Sequence, residues 1–260
     1  MRHFAAAILT LCLILPFSAQ SGEKNDDSGV SAMLVGFDAG LGGTYFTSEY
    51  KGMEENGTSI PLIGYEGEHV YLRGLSAGVH LVRLSFLEIN AQVSYLPQHF
   101  YADRSSRWVM RRLDDRYSTM LAGLNTRVFL PVGIFSATAS MDVLGYSQGG
   151  VILDGNYTLP IRLGSLSIAP TIGVQWTDSQ YNKYYYGIDH GEARASGLKH
   201  YDPESCFSPY AQISAKLNFT ENWSAFASVR TLFLGQEITD SPMVENHEVY
   251  SFSLGAMYKF

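Results

Sequence analysis

The chain has 260 residues, of which 46% are hydrophobic, 17% charged and 13% aromatic, with 25 glycines, 17 tyrosines and 2 cysteines. That composition excludes a disordered tail and a disulfide scaffold. A formal charge of −7 lacks the basic footprint that phosphate backbones require, so nucleic acid is not an expected partner.

The first element is an export signal. Met1 to His3 form a short basic start, and the apolar run Phe4 to Leu15 is too short to span a bilayer as a helix. Ala19 and Ser21 are small residues suited to a cleavage site, which predicts a signal peptide over residues 1–21. Cys12 follows Leu11, where a lipoprotein signal needs a small residue, so a lipid anchor is not expected. Residues 22–260 then form one domain that keeps a single cysteine, Cys206, and opens with a short periplasmic segment. Cys206 and His200 lack the paired spacing of a zinc site, and no metal or cofactor is expected.

Along the rest of the chain the recurring signal is alternation. Strands are predicted near 32–44 and 58–66, as a short pair within 69–83 turned at Gly74 to Gly78, and near 85–95, 118–129, 134–146, 151–161, 166–176, 209–219, 223–234 and 247–260. In Leu87 to Tyr95, Phe135 to Val143 and Ala211 to Phe219, every odd position is apolar and every even position polar. Such strands are wet on one face only. In Leu166 to Trp176, Pro170 has to sit at a bulge or a gap in the ladder.

Three features turn the apolar faces toward lipid. The chain closes on Tyr250 to Phe260, an alternating strand whose outward set includes Tyr258 and Phe260; a terminal aromatic of this kind resembles the assembly signal of bacterial outer-membrane barrels. Connections are short at Pro131 to Gly133, Arg162 to Ser165 and Thr220 to Asn222, and long at Leu96 to Tyr117, Thr177 to Pro209 and Gly235 to Asn246. That is the asymmetry between periplasmic turns and outer loops. Aromatics also gather near strand ends, at Tyr95, Trp176, Phe219 and Trp223. The expectation is an all-β fold: a transmembrane antiparallel outer-membrane β-barrel of about 12 strands. Such a barrel is roughly 24 Å across its backbone, leaving roughly 10 Å for a lumen that side chains or a loop can plug.

Two loop stretches stand out. Arg104, Arg107, Arg111, Arg112, Asp114, Asp115 and Arg116 crowd the loop before the strand at 118. Guanidinium forks can grip carboxylates or phosphates, or can pair with the acids beside them and pin the loop. Tyr181 to Tyr201 carries Tyr184, Tyr185, Tyr186, His190, Glu192 and His200, suited either to packing a long connection or to contacting a partner or glycan. Asp114, Asp115, His190 and His200 could in principle serve a hydrolase, but no motif fixes their roles, and an enzyme is not expected.

Taken together, several segments resemble the MipA/OmpV family, the MltA-interacting outer-membrane proteins. They are Tyr65-Glu66-Gly67 with Arg73-Gly74, Met110 to Arg116 running into Ser118-Thr119-Met120, Gly173 to Trp176, and Tyr184 to Gly187 with Ala195 to Leu198. Ser208-Pro209-Tyr210, Thr239 to Val244 and Tyr258-Lys259-Phe260 complete the set. The resemblance implies an outer-membrane barrel embedded in lipid, without catalytic residues, that serves as a scaffold. Its implied partners are a lytic transglycosylase and a penicillin-binding protein in peptidoglycan biosynthesis. A small-solute channel and a surface adhesin stay open as alternatives. Under the predicted topology the motif-bearing loops lie on the outer side, whereas murein enzymes work in the periplasm.

Overall fold

The computed structural model describes residues 36–53 and 56–260. The predicted signal peptide, the short segment after it and the first residues of the strand expected at 32–44 lie outside them. Strands among the described residues are β1 (Phe37–Phe46), β2 (Asn56–Glu66), β3 (Val70–Arg73), β4 (Ser76–Arg83), β5 (Leu87–Leu96), β6 (Thr119–Phe129) and β7 (Ile134–Asp142). They continue as β8 (Val151–Thr158), β9 (Ile161–Leu163), β10 (Leu166–Thr177), β11 (Cys206–Asn218), β12 (Trp223–Phe233) and β13 (Glu248–Lys259). Neighbours pair antiparallel, and β13 returns to β1 from Asp38↔Lys259 to Phe46↔Ser251, so the sheet closes.

The wall has twelve strands, because β8 and β9 are two pieces of one. Both pair with β10, with Thr158 opposite Thr171 and Ile161 opposite Ile168. The break falls at Leu159 and Pro160, facing Ala169 and Pro170, where two prolines cannot supply ladder N–H groups. Leu159 N donates across the gap to Pro170 O at 2.9 Å. The short pair expected within 69–83 is present as β3 and β4, turned at Gly74 and Leu75. Two expected connections contract: Ile161–Leu163 is strand, leaving Gly164 and Ser165 as the turn, and Cys206 to Ser208 extend the ladder to Gln175–Thr177. The strand expected to reach 146 stops at Asp142, which accepts bonds from the backbone N–H groups of Leu144, Gly145 and Ser147 and so turns the chain.

Burial is inverted relative to a water-soluble protein. On β7, Ser136, Ser140 and Asp142 are buried while Phe135 and Met141 are exposed; on β13, Ser251 and Ser253 are buried while Tyr250, Phe252 and Leu254 are exposed. Polar side chains inside and apolar ones outside are stable only when hydrocarbon is the surrounding solvent.

Inward side chains occupy the lumen at several heights. Phe226 and Leu62 lie over Gly255, where a Cβ would come within 2.6 Å of the Phe226 ring, and Tyr71 covers Gly78 in the same manner at 2.6 Å. Hydroxyls pair between strands, as in Thr44 with Ser253 at 3.0 Å and Ser214 with Ser228 at 3.0 Å. Toward the ends bearing the short turns, Arg73 forks onto Glu66 with two bonds of 2.9 Å. Glu88 is approached by Arg73 at 3.4 Å, Arg127 at 3.6 Å and Asn90 Nδ2 at 2.8 Å. His80 Nδ1 contacts Asn90 Oδ1 at 2.7 Å, and its Nε2 stands 3.3 Å from Glu66.

The connection after β1 and those at 97–118, 143–150, 178–205 and 234–247 leave one end of the barrel, joined there by the two-residue turn at Gly74 and Leu75, and the other short turns leave the opposite end. Phe219 and Trp223 are exposed at the turn end, where Trp223, Tyr258, Phe260 and Phe37 form a run of ring contacts of 5.0 to 5.6 Å across the β12–β13–β1 seam.

Glu88 is the shared acceptor of the lumen network, and removing it strands buried cations. The Glu88→Leu variant is expected to lose about 3 kcal/mol of stability. Urea unfolding in detergent, followed by heat-modifiable gel mobility, measures this; an unchanged midpoint would show that the network carries no net stability.

Candidate functional site

The five long connections fold together into a roof over the barrel mouth. Among the described residues three helices lie in it: α1 (Ser179–Tyr186), α2 (His190–Ser196) and α3 (Gln236–Thr239). Asp178 caps α1 by accepting from Tyr181 N at 2.9 Å. Asp189 and Glu192 form a reciprocal capping box on α2, and Gly197 ends that helix at φ 77°. Single 3₁₀ turns occur at Ala102–Arg104 and Met110–Arg112.

The principal apolar core of the molecule is here. Tyr185, Phe100, Met110, Ile188 and Met243 are fully buried, and Tyr50 packs on Phe100 and Tyr186 with ring centroids at 5.1 and 5.7 Å. The consecutive tyrosines take different tasks. Tyr184 Oη accepts from Tyr117 N at 2.7 Å, and Tyr185 Oη donates to Tyr117 O at 3.0 Å. Tyr186 Oη donates to Glu49 Oε1 at 3.2 Å and accepts from Gln98 Nε2 at 2.6 Å, while Tyr181 bonds to the other end of Gln98. Burial raises the Tyr181, Tyr185 and Tyr186 hydroxyls well above the ordinary phenol range, so these contacts are made by neutral rings.

The arginine and aspartate stretch is distributed rather than assembled into one array. Arg116 is buried and reaches Glu192 Oε1 at 2.7 Å, Gly187 O at 3.2 Å and Asp114 O at 2.9 Å. It thereby joins the connection 97–118 to 178–205. Asp115 accepts from Ala102 N at 2.8 Å, and Arg111 Nε donates to Ser105 O at 2.6 Å. Arg107 stands 3.7 Å from Glu245, Arg104 covers the Tyr101 ring at 4.8 Å, and Arg112 and the Asp114 side chain are exposed. The expected pinning partners were the neighbouring acids; the partner of Arg116 is instead Glu192, 76 residues away. The Asp189-x-x-Glu192 spacing marks the helix start, but no local signal marks that long-range pair. Glu49 was likewise unremarked in the sequence.

Across the seam the roof is tied together. Tyr50 bridges to Val244, Lys51 N donates to Met243 O at 2.9 Å, and Glu245 N donates to Glu49 O at 2.8 Å. Beneath the roof lies a chamber of about 110 Å³ bounded by Gln92, Thr138, Asp154, Gln175 and Arg230 on the wall, with Glu49, Gln98, Tyr181 and Tyr186 above. His190 and His200 stack with ring centroids 4.0 Å apart, and Cys206 is buried beside Thr177 and Asn182. Among the described residues no group of His, Cys, Asp and Glu is placed to hold a metal ion.

A family model described as MltA-interacting protein MipA matches residues 39–260. The chain belongs to the MipA family. It is 36% identical to the MltA-interacting protein of Escherichia coli (strain K12) over 90% of this chain and 94% of that protein. To the putative outer membrane protein YiaT of the same strain it is 34% identical, over 88% and 93%. To the outer membrane protein OmpV of Vibrio cholerae it is 28% identical over 61% of each chain. Among solved structures the translocator domain of the autotransporter NalP from Neisseria meningitidis superposes with a TM-score of 0.52 at 14% identity, covering 89% of this chain and 92% of that one. That likeness concerns the fold. This MipA-family chain is an outer-membrane β-barrel, as its inverted burial also requires.

Burial raises the Glu49 carboxyl above its ordinary value, opposed by its own backbone and by Tyr186 and Gln98. Between the ordinary and the raised value the closed roof binds a proton that the opened roof releases. Roof stability therefore rises as pH falls through that window and is lost as pH rises. Cleavage of the 178–205 connection by a pH-tolerant protease is expected to be slower at about pH 5 than at about pH 8, with Glu49→Gln removing most of the difference. An unaltered pH profile in that variant would assign the effect elsewhere.

Proposed function

We propose that this barrel is a non-catalytic outer-membrane scaffold that brings a lytic transglycosylase together with a penicillin-binding protein during peptidoglycan synthesis. The observation that carries this reading is the 36% identity, over nearly full length, to a relative named MltA-interacting protein. The roof and the inward side chains support it physically, since they obstruct a solute path and spend the motif residues on closure. Arg111, Arg112, Asp114, Asp115, Arg116, Tyr184, Tyr185 and Tyr186 accordingly act as roof residues, and Tyr258 and Phe260 serve seam assembly.

A scaffold for murein enzymes has to present its surface on the periplasmic side, which in a barrel of this pattern is the side of the short turns. The turn end carries exposed apolar side chains at and beside its tips: Leu84 and Phe86, Leu130 and Val132, and Leu163, with Val132 66% exposed. These occupy three successive connections around the wall, and apolar side chains at turn tips suit the centre of a protein contact.

Immobilised full-length protein in mild detergent is expected to recover a transglycosylase or a penicillin-binding protein from envelope extract, with recovery cut about tenfold by Val132→Asp combined with Leu84→Asp. Failure to recover either enzyme would remove the scaffold reading, and undiminished recovery by the double variant would move the contact elsewhere. In planar bilayers the folded protein is expected to give no discrete conductance steps; regular steps would favour the channel alternative.

A further inference from the structure

On the loop side of the barrel, away from the turn tips, a recess of about 250 Å³ opens between the connection carrying Asp114 and Arg116 and the connection carrying α1 and α2. Its floor is the buried Arg116–Glu192 pair together with Gly187 and Ile188. Arg116 is 7% exposed, and although its two terminal nitrogens are engaged, its Nε–H has no acceptor among the described residues. A buried donor left without an acceptor is costly, and a ligand that supplies the acceptor recovers that cost.

The walls add complementary groups. Asp114 uses its backbone N–H on Glu192 Oε1, and its side-chain carboxylate makes no hydrogen bond or ion pair among the described residues. His200 Nδ1 lies 2.6 Å from Ile188 O, so that nitrogen donates to the carbonyl and Nε2 is the polar atom the ring has left for a ligand. Lys183 pairs with Asp202 at 3.1 Å at the rim. Tyr184 and Tyr201 contribute rings, and burial pushes the Tyr201 hydroxyl up to about 12, which keeps it neutral.

We propose that this recess binds a sugar residue bearing adjacent hydroxyl groups. A small anion would meet Asp114, Asp189, Glu192 and Asp202. A simple cation would answer the carboxylates but leave the Arg116 Nε–H without an acceptor. A hydroxyl both donates and accepts, so one polyhydroxylated ring can donate to Asp114 and accept from Arg116 and Lys183, and it can bond His200 Nε2 in either sense. Its C–H face suits an aromatic wall, as in sites where a few placed polar groups orient a ligand against apolar surface. The site is separate from the turn-end surface, and neither depends on the other.

Saturation-transfer NMR on the full chain in detergent, with glucose, galactose, mannose and N-acetylglucosamine as probes, tests the assignment. At least one probe is expected to bind, and Asp114→Ala and Lys183→Met are each expected to weaken it about tenfold while heat-modifiable mobility stays that of the parent. Two further arms, an oligosaccharide released from the outer-membrane glycolipid and one released from mucin, separate a ligand of the cell's own surface from a foreign one; binding of either sustains the site. Absence of binding by all six at about 10 mM, or unchanged affinity in Asp114→Ala, would overturn it.

Discussion

Hydrocarbon offers no hydrogen bonds, and the rest of this molecule follows from that constraint. Every backbone N–H and C=O within the membrane must find a partner in the chain, which only a closed sheet allows for strands. The pairing of β13 with β1 meets the requirement, and it fixes which side chains face inward. An inward position then has to accept polarity without bulk water around it. Serine and threonine pairs, the Glu66–Arg73–Glu88–Arg127 network and rings placed over glycine are three ways of meeting the same demand. Even the proline-bearing gap between β8 and β9 fits, because an N–H lost there is partly replaced by the bond from Leu159 to Pro170.

A lipid-facing wall cannot house an apolar core of the ordinary kind, so that core sits where the chain returns to water. Tyr185, Phe100, Met110, Ile188 and Met243 come from three connections and exclude solvent from one another. Their close neighbours Glu49 and Gln98 are held by tyrosine hydroxyls, because buried polar groups need hydrogen-bond partners. The roof therefore combines a dry centre with a polar underside toward the chamber. The recess on its outer side has the opposite character, since some of its polar atoms, Arg116 Nε and the Asp114 carboxylate, have no partner among the described residues.

Much of the wall was legible in the sequence because a strand's period of two is a local property. Leu87 to Tyr95 and Phe135 to Val143 announce their faces residue by residue, and the Gly74 to Gly78 stretch was enough to place β3 and β4. Strand ends were less legible: Cys206 to Ser208 read as loop because pairing with Gln175 to Thr177, not local composition, makes them strand. The roof was legible only as unusual residues. Tyr184 to Tyr186 could be singled out, but that Tyr186 meets Glu49, or that Arg116 meets Glu192, depends on contacts across distant connections. The Asp189-x-x-Glu192 spacing shows the limit, for it marks a helix start and says nothing about the second bond that Glu192 makes. The family resemblance, resting on motifs in those same connections, was legible where their geometry was not.

The bonds between the connections that flank the seam have a mechanical meaning. Tyr50, Lys51 and Glu49 on one side clasp Val244, Met243 and Glu245 on the other, while Phe37 and Phe260 meet at the opposite end. A cylinder fastened at both ends of its only joint between first and last staves resists being unzipped sideways into the bilayer. Anything held in the interior would have no sideways exit to the lipid through that joint, and the finished wall would hold its shape under lateral strain from the bilayer.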